Sequence, residues 1–120
     1  MAASREFLDL VADQLRGFGP MGMRRMFSGA GLFRGGLMFG LVAGDVLYFK
    51  VGDANRGAYL EAGAKPFTYV RLGATATLTS YYEVPAGVLD DPDALAEWAH
   101  GAWAAAQAAA KPKRRAGKKR

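Results

Sequence analysis

The feature that most constrains this chain is the run Arg24 to Lys50, RRMFSGAGLFRGGLMFGLVAGDVLYFK. Apolar stretches follow one another there, broken by Gly35-Gly36 and Ala43-Gly44-Asp45. Both breaks are hairpin-turn chemistry, because glycine reaches φ > 0 without a Cβ clash. The run therefore predicts an antiparallel meander with strands near Arg24–Arg34, Leu37–Val42 and Val46–Val51. Phe67–Leu72 and Thr75–Val84 alternate and are rich in β-branched and aromatic residues, which predicts two more strands.

Helices frame these strands. Phe7, Leu10, Val11, Leu15 and Phe18 share one stripe at helical spacing, so residues 5–18 read as an amphipathic helix capped by Ser4. Gly17, Gly19 and Pro20 end it. Asp53 as N-cap and Gly63 just past the end delimit a short helix over 54–62. Asp91, Pro92 and Asp93 form a strong helix start. From there Leu95, Trp98, Ala99, Ala102, Trp103 and Ala106 make an apolar arc. Phe7 and Trp98 sit mid-stripe and are expected to be largely buried. The order is α-β-β-β-α-β-β-α, and the economical arrangement is an α+β domain of two layers, with a five-stranded antiparallel sheet packed by helices.

Charge divides the chain. Its 120 residues carry 16 lysines and arginines against 11 acidic residues. Seven of the basic ones, Lys111, Lys113, Arg114, Arg115, Lys118, Lys119 and Arg120, lie in the last ten positions. Residues 1–110 thus hold 9 basic and 11 acidic residues, a net of −2. The reading is a folded domain over 1–110 and a disordered basic tail over 111–120. A tail of this charge density fits sequence-independent contact with nucleic-acid phosphates, or serves only to keep the chain in solution.

Composition also excludes classes of chemistry. There is no cysteine, so thiolate chemistry and disulfides are out. A single histidine, His100, argues against a zinc site, and His100 with Glu97 has no nucleophile beside it. Gly17–Gly22 matches G-x-G-x-x-G, but a helix precedes it and a strand follows, the reverse of a dinucleotide fingerprint. Glu83, Asp90, Asp91 and Asp93 cluster, but helix-start chemistry accounts for two of them. Met21, Met23, Met26 and Met38 read as core filling. No cofactor and no metal are expected. No signal peptide and no spanning segment are visible, and a cytoplasmic, bacterial protein is expected. Arg24 with Arg25, and Tyr81 with Tyr82, are adjacent on strands and so point to opposite faces. One of each pair is a candidate partner contact. Exposed sheet edges and an aromatic-rich meander predict a homodimer.

The motifs RRMFSGAGLF (24–33), LMFGLVAGDVLYFKV (37–51), PFTY (66–69) and SYYEVP (80–85), in this order and spacing, resemble the N-terminal domain of the TfoX/Sxy family. The resemblance spans about residues 4–108. It implies a module associated with natural competence and with protein partners in transcription regulation, and it brings no catalytic residues. The family's regulators add a C-terminal helical domain, where this chain has its basic tail.

Overall fold

The computed structural model describes residues 3–26 and 29–110. Helix α1, Arg5–Gln14, begins where Ser4 leaves extended backbone and its Oγ accepts the Phe7 N–H at 3.1 Å. The helix stops short of the expected residue 18. A single 3-10 turn, Arg16–Phe18, follows and ends at Gly19 with φ 108. The buried side chains are Leu8, Val11, Leu15 and Phe18. Leu10 is 44% exposed and Phe7 is half-buried, so the packed stripe is rotated toward Leu8.

The sheet has six strands, not five. They are β1 (Gly22–Met26), β2 (Gly29–Arg34), β3 (Leu37–Ala43), β4 (Val46–Lys50), β5 (Pro66–Arg71) and β6 (Ala74–Glu83). The expected first strand is two strands, because Met26 pairs with Gly29 and Arg24 with Gly31. The chain thus reverses between Met26 and Gly29. The one local mark of a turn there is the Ser28-Gly29 dipeptide, which the expected single strand ran through. The spatial order is β1-β2-β3-β4-β6-β5, every neighbour antiparallel. Gly35-Gly36 and Gly44-Asp45 make the two expected turns with positive φ throughout. Leu72-Gly73, at φ 55 and 79, joins β5 to β6.

Helix α2, Arg56–Glu61, starts later than expected. Asp53 does not cap it. Asn55 stands at its start and instead staples the preceding loop, accepting from the Gly52 N–H and donating to the Lys50 carbonyl. Its end is as expected: Gly63 takes φ 72, its N–H reaches the Leu60 carbonyl, and Ala64 N–H reaches Tyr59, a Schellman closure. A four-residue helix, α3 (Ala86–Leu89), follows the sheet where only a strand end was expected. In α4, Pro92–Ala110, Asp91 Oδ1 accepts from the Asp93 and Ala94 N–H groups.

Opposed residues of an antiparallel pair share a face. One face carries Ala30, Leu32, Val42, Leu47, Phe49 and Tyr82, and Phe39 joins them at a bulge between Leu32 and Phe33. Against it pack Val11, Leu15, Phe18, Leu95, Ala99, Ala102 and Ala106. Alanines let α4 approach the sheet closely, so the core is built of large sheet residues against small helix ones. Trp98 and Trp103 are partly buried, packed against the rim of the core, where Trp98 was expected to be largely buried. The Trp98 ring meets Tyr59 edge-on at 4.7 Å.

Candidate functional site

The helices use one face of the sheet. The other carries Arg24, Phe33, Met38, Leu41, Tyr48, Lys50 and Tyr81, read from the same register. β6 then bends over this face. Pro66 pairs with Tyr82, but the next β5 residue, Phe67, pairs with Leu78. One step on β5 spans four on β6, so residues 79–81 are extra and kink the strand. The β5–β6 arm beyond the kink faces back toward β2 and β3. Between them lies an open groove of about 650 Å³. Met26, Met38 and Leu41 line one side, and Phe67, Tyr69 and Leu78 the other. Among the described residues, Arg71 is the single charged one in the lining.

Rings connect sheet to arm: Tyr48 meets Phe67 edge-on at 4.9 Å, and Phe67 stacks on Tyr69 at 5.7 Å. Cations flank them. The Arg24 guanidinium lies 4.6 Å from the Phe33 ring centre, and Lys50 Nζ lies 5.0 Å from that of Tyr81. Tyr81 Oη donates a long bond, 3.4 Å, to the Met38 carbonyl. Burial pushes the Tyr81 phenol up to about 12. Tyr48 is also raised, by burial and then by the negative charge of Glu83 opposite. Tyr59, buried in the core, is raised by burial alone.

The candidate partner residues divide by face. Arg24 and Tyr81 stand on the open face. Arg25 and Tyr82 stand on the helix side, where Arg25 Nη1 donates to the Ala3 carbonyl and the Tyr82 ring lies 6.0 Å from Tyr59. The methionines divide too: Met21 and Met23 pack on the core, while Met26 and Met38 line the groove. His100 is exposed, its ring edge-on to Phe18 at 4.9 Å. Gly17–Gly22 forms the end of the 3-10 turn and the entry to β1. Among the described residues, no group of three or more His, Asp or Glu could hold a metal ion. Among the same residues, no helix is long and apolar enough to cross a membrane. The expectations for Lys111 to Arg120 lie outside the described residues.

Sequence reasoning missed the groove and missed Arg34. Arg34 sits on the helix side of β2, its guanidinium 3.6 Å over the Phe18 ring and 5.9 Å from Trp103. Its Nη2 donates to the Phe18 carbonyl at 2.7 Å and its Nε to Pro20 at 2.8 Å. A cation one residue before a Gly-Gly turn reads from sequence as a solvated strand end.

These parts define a two-layer α+β domain with one face sealed by helices and one face open. Residues 13–106 of the 120 match the TfoX N-terminal domain, and the chain belongs to that family. The match runs from the last two residues of α1 through all six strands into α4. No curated protein matches the chain.

Proposed function

We propose that this chain is a regulatory adaptor of the bacterial cytoplasm, linked to transcription or competence control, that works through protein contact and not catalysis. The observation that carries this reading is the groove on the open face. Its walls are apolar with Arg71 in the lining, and Arg24, Lys50 and Glu83 stand on the same face of the sheet. Such a surface fits a protein segment with apolar anchors and acidic flanks.

The test is transcript profiling in the native host with the full chain overproduced, beside a Leu41→Lys variant that places a cation in the groove. A defined transcript set should respond to the unaltered chain and lose that response in the variant, with circular dichroism unchanged. No response to the unaltered chain, or an equal response to both, refutes the reading.

A second reading rests on the charge of residues 111–120. Seven cations there can contact phosphates without reading sequence. DNA affinity would then fall with salt at a log–log slope of at most about −6. Replacing the seven with glutamine should abolish that slope, and an unchanged slope removes the tail from any such role.

A further inference from the structure

We propose that two copies of this chain pair edge to edge along β5, antiparallel, in the one register that sets Tyr69 against Tyr69. The inference stands apart from the adaptor reading and does not depend on it.

β5 is the last strand in the sheet order, so its outer edge has no partner strand among the described residues. Unpaired edges recruit other strands, and proteins defend them with charge, proline or bulges. The outer edges of the two end strands differ in that respect. β1 carries Arg24 and Arg25 at its centre. β5, Pro-Phe-Thr-Tyr-Val-Arg, has its proline and its charge only at the ends. Val70 is 73% exposed and Leu72, in the following turn, is 95% exposed. Leu72 also holds φ 55, a conformation that a branched side chain adopts at a cost and that glycine would take freely. An apolar side chain kept fully exposed there does nothing for the isolated fold.

Geometry then limits the register. Two antiparallel strands joined at their edges are related by a two-fold axis normal to the sheet. Like faces stay on one side, so opposed residues share parity. Setting Thr68 against Thr68 would place Lys65 opposite Arg71, and like charges directly opposed are destabilising. Setting Val70 against Val70 shortens the overlap to residues 69–71. Setting Tyr69 against Tyr69 overlaps residues 67–71. It lays Arg71 over Phe67 and Val70 beside Thr68, with no like charges opposed.

The size of the contact sets its strength. A six-residue edge is about 20 Å long and a sheet about 10 Å thick, so the strip covers roughly 200 Å² per copy. A standard stable interface covers about 800 Å² per partner. The dimer is therefore weak and concentration-dependent.

Sedimentation of the full chain from 5 to 300 µM should show the average mass rising from 12.8 kDa toward twice that value. Val70→Lys, at an exposed site, should hold it at 12.8 kDa. The chain has no cysteine, so single cysteines report the register directly. Paired positions across an antiparallel ladder lie about 4.5–5.5 Å apart at Cα, within disulfide reach. Tyr69→Cys should therefore form a covalent dimer under mild oxidation. Arg71→Cys, displaced from its own copy by about 14 Å along the strand, should not. Leu60→Cys, exposed on α2, gives the collisional background. A monomer at 300 µM overturns the proposal, as does a Tyr69→Cys rate no higher than that of Leu60→Cys. Faster cross-linking through Arg71→Cys than through Tyr69→Cys overturns the register.

Discussion

Arg34 is the residue whose removal most directly tests how the 3-10 turn after the first helix is fastened to the sheet. Its fork donates to the carbonyls of Phe18 and Pro20, and its plane lies on the Phe18 ring. Hydrogen bonds from a charged donor contribute about 1.5–3 kcal/mol each when well shielded. Here the side chain is half-exposed and the freed carbonyls can rehydrate, so the lower half of that range applies. The cation–π contact adds about 0.5–2 kcal/mol. These contributions overlap, and Arg34→Ala should cost about 2–3 kcal/mol in all. Domains of this size hold roughly 5–15 kcal/mol, so the loss is a large share, and at about 4–8 °C per kcal/mol it lowers Tm by about 10–20 °C. Arg34→Lys keeps the charge but cannot fork to two carbonyls while lying flat on the ring, and should lose about half as much. Urea unfolding followed by the fluorescence of Trp98 and Trp103 measures both. A cost below about 0.5 kcal/mol for Arg34→Ala, with unchanged slope, would show that the 3-10 turn is held by Phe18 burial alone.

Three further outcomes follow from the packing. Phe39, fully buried between Phe18 and Phe49, should cost about 3–5 kcal/mol as Phe39→Ala in the same urea assay, and Trp98→Ala, at the half-buried rim, distinctly less. Gly29→Ala would drive its Cβ into the Val42 carbonyl oxygen on the neighbouring backbone and should cost about 3 kcal/mol, whereas Gly31→Ala meets only the Phe33 ring and the sulfurs of Met26 and Met38, which can move aside, and should cost under about 1.5 kcal/mol. Stability should fall between pH 10 and 12: the Tyr81 phenol, ordinarily near 10.0 and held at about 12, keeps its proton in the fold and releases it in the unfolded chain. The slope is up to about 1.4 kcal/mol per pH unit for each such tyrosine, and Tyr81→Phe should flatten it.

What could be read from sequence was whatever is written in local backbone chemistry. Gly35-Gly36, Gly44-Asp45, Gly63 and the Asp91-Pro92 start all sit where their φ preferences and caps put them. The misreadings share a cause: each was decided by tertiary contact. Residues 24–34 carry one turn dipeptide, Ser28-Gly29, and only the pairing of β1 with β2 shows that the chain reverses at Met26–Gly29. Leu10 and Leu8 are equal as leucines, and only the position of the sheet decides which one packs. Asp53 and Asn55 are equal caps by propensity, and the bridge of Asn55 to Gly52 and Lys50 goes with the later helix start. The groove was the least legible part. It depends on three extra residues in β6, and Thr79-Ser80-Tyr81 looks like any other stretch of strand.

That kink explains why the open face can stay so apolar. α1 and α4 pack on the side of Leu32 and Phe49, so nothing helical covers Met38, Leu41 or Tyr48. A flat six-stranded sheet would leave those side chains fully in water, which is unfavourable in proportion to their area. The bent arm removes part of that exposure by bringing Phe67 and Leu78 over them, but it is a hairpin and does not seal the face. Gly31 is buried beside Phe33, Met26 and Met38, which a Cβ there would push outward. The arm ends on Val70 and Leu72 in water. The part of the face the arm does not reach, and the tip itself, therefore keep apolar surface in solvent that another chain can cover.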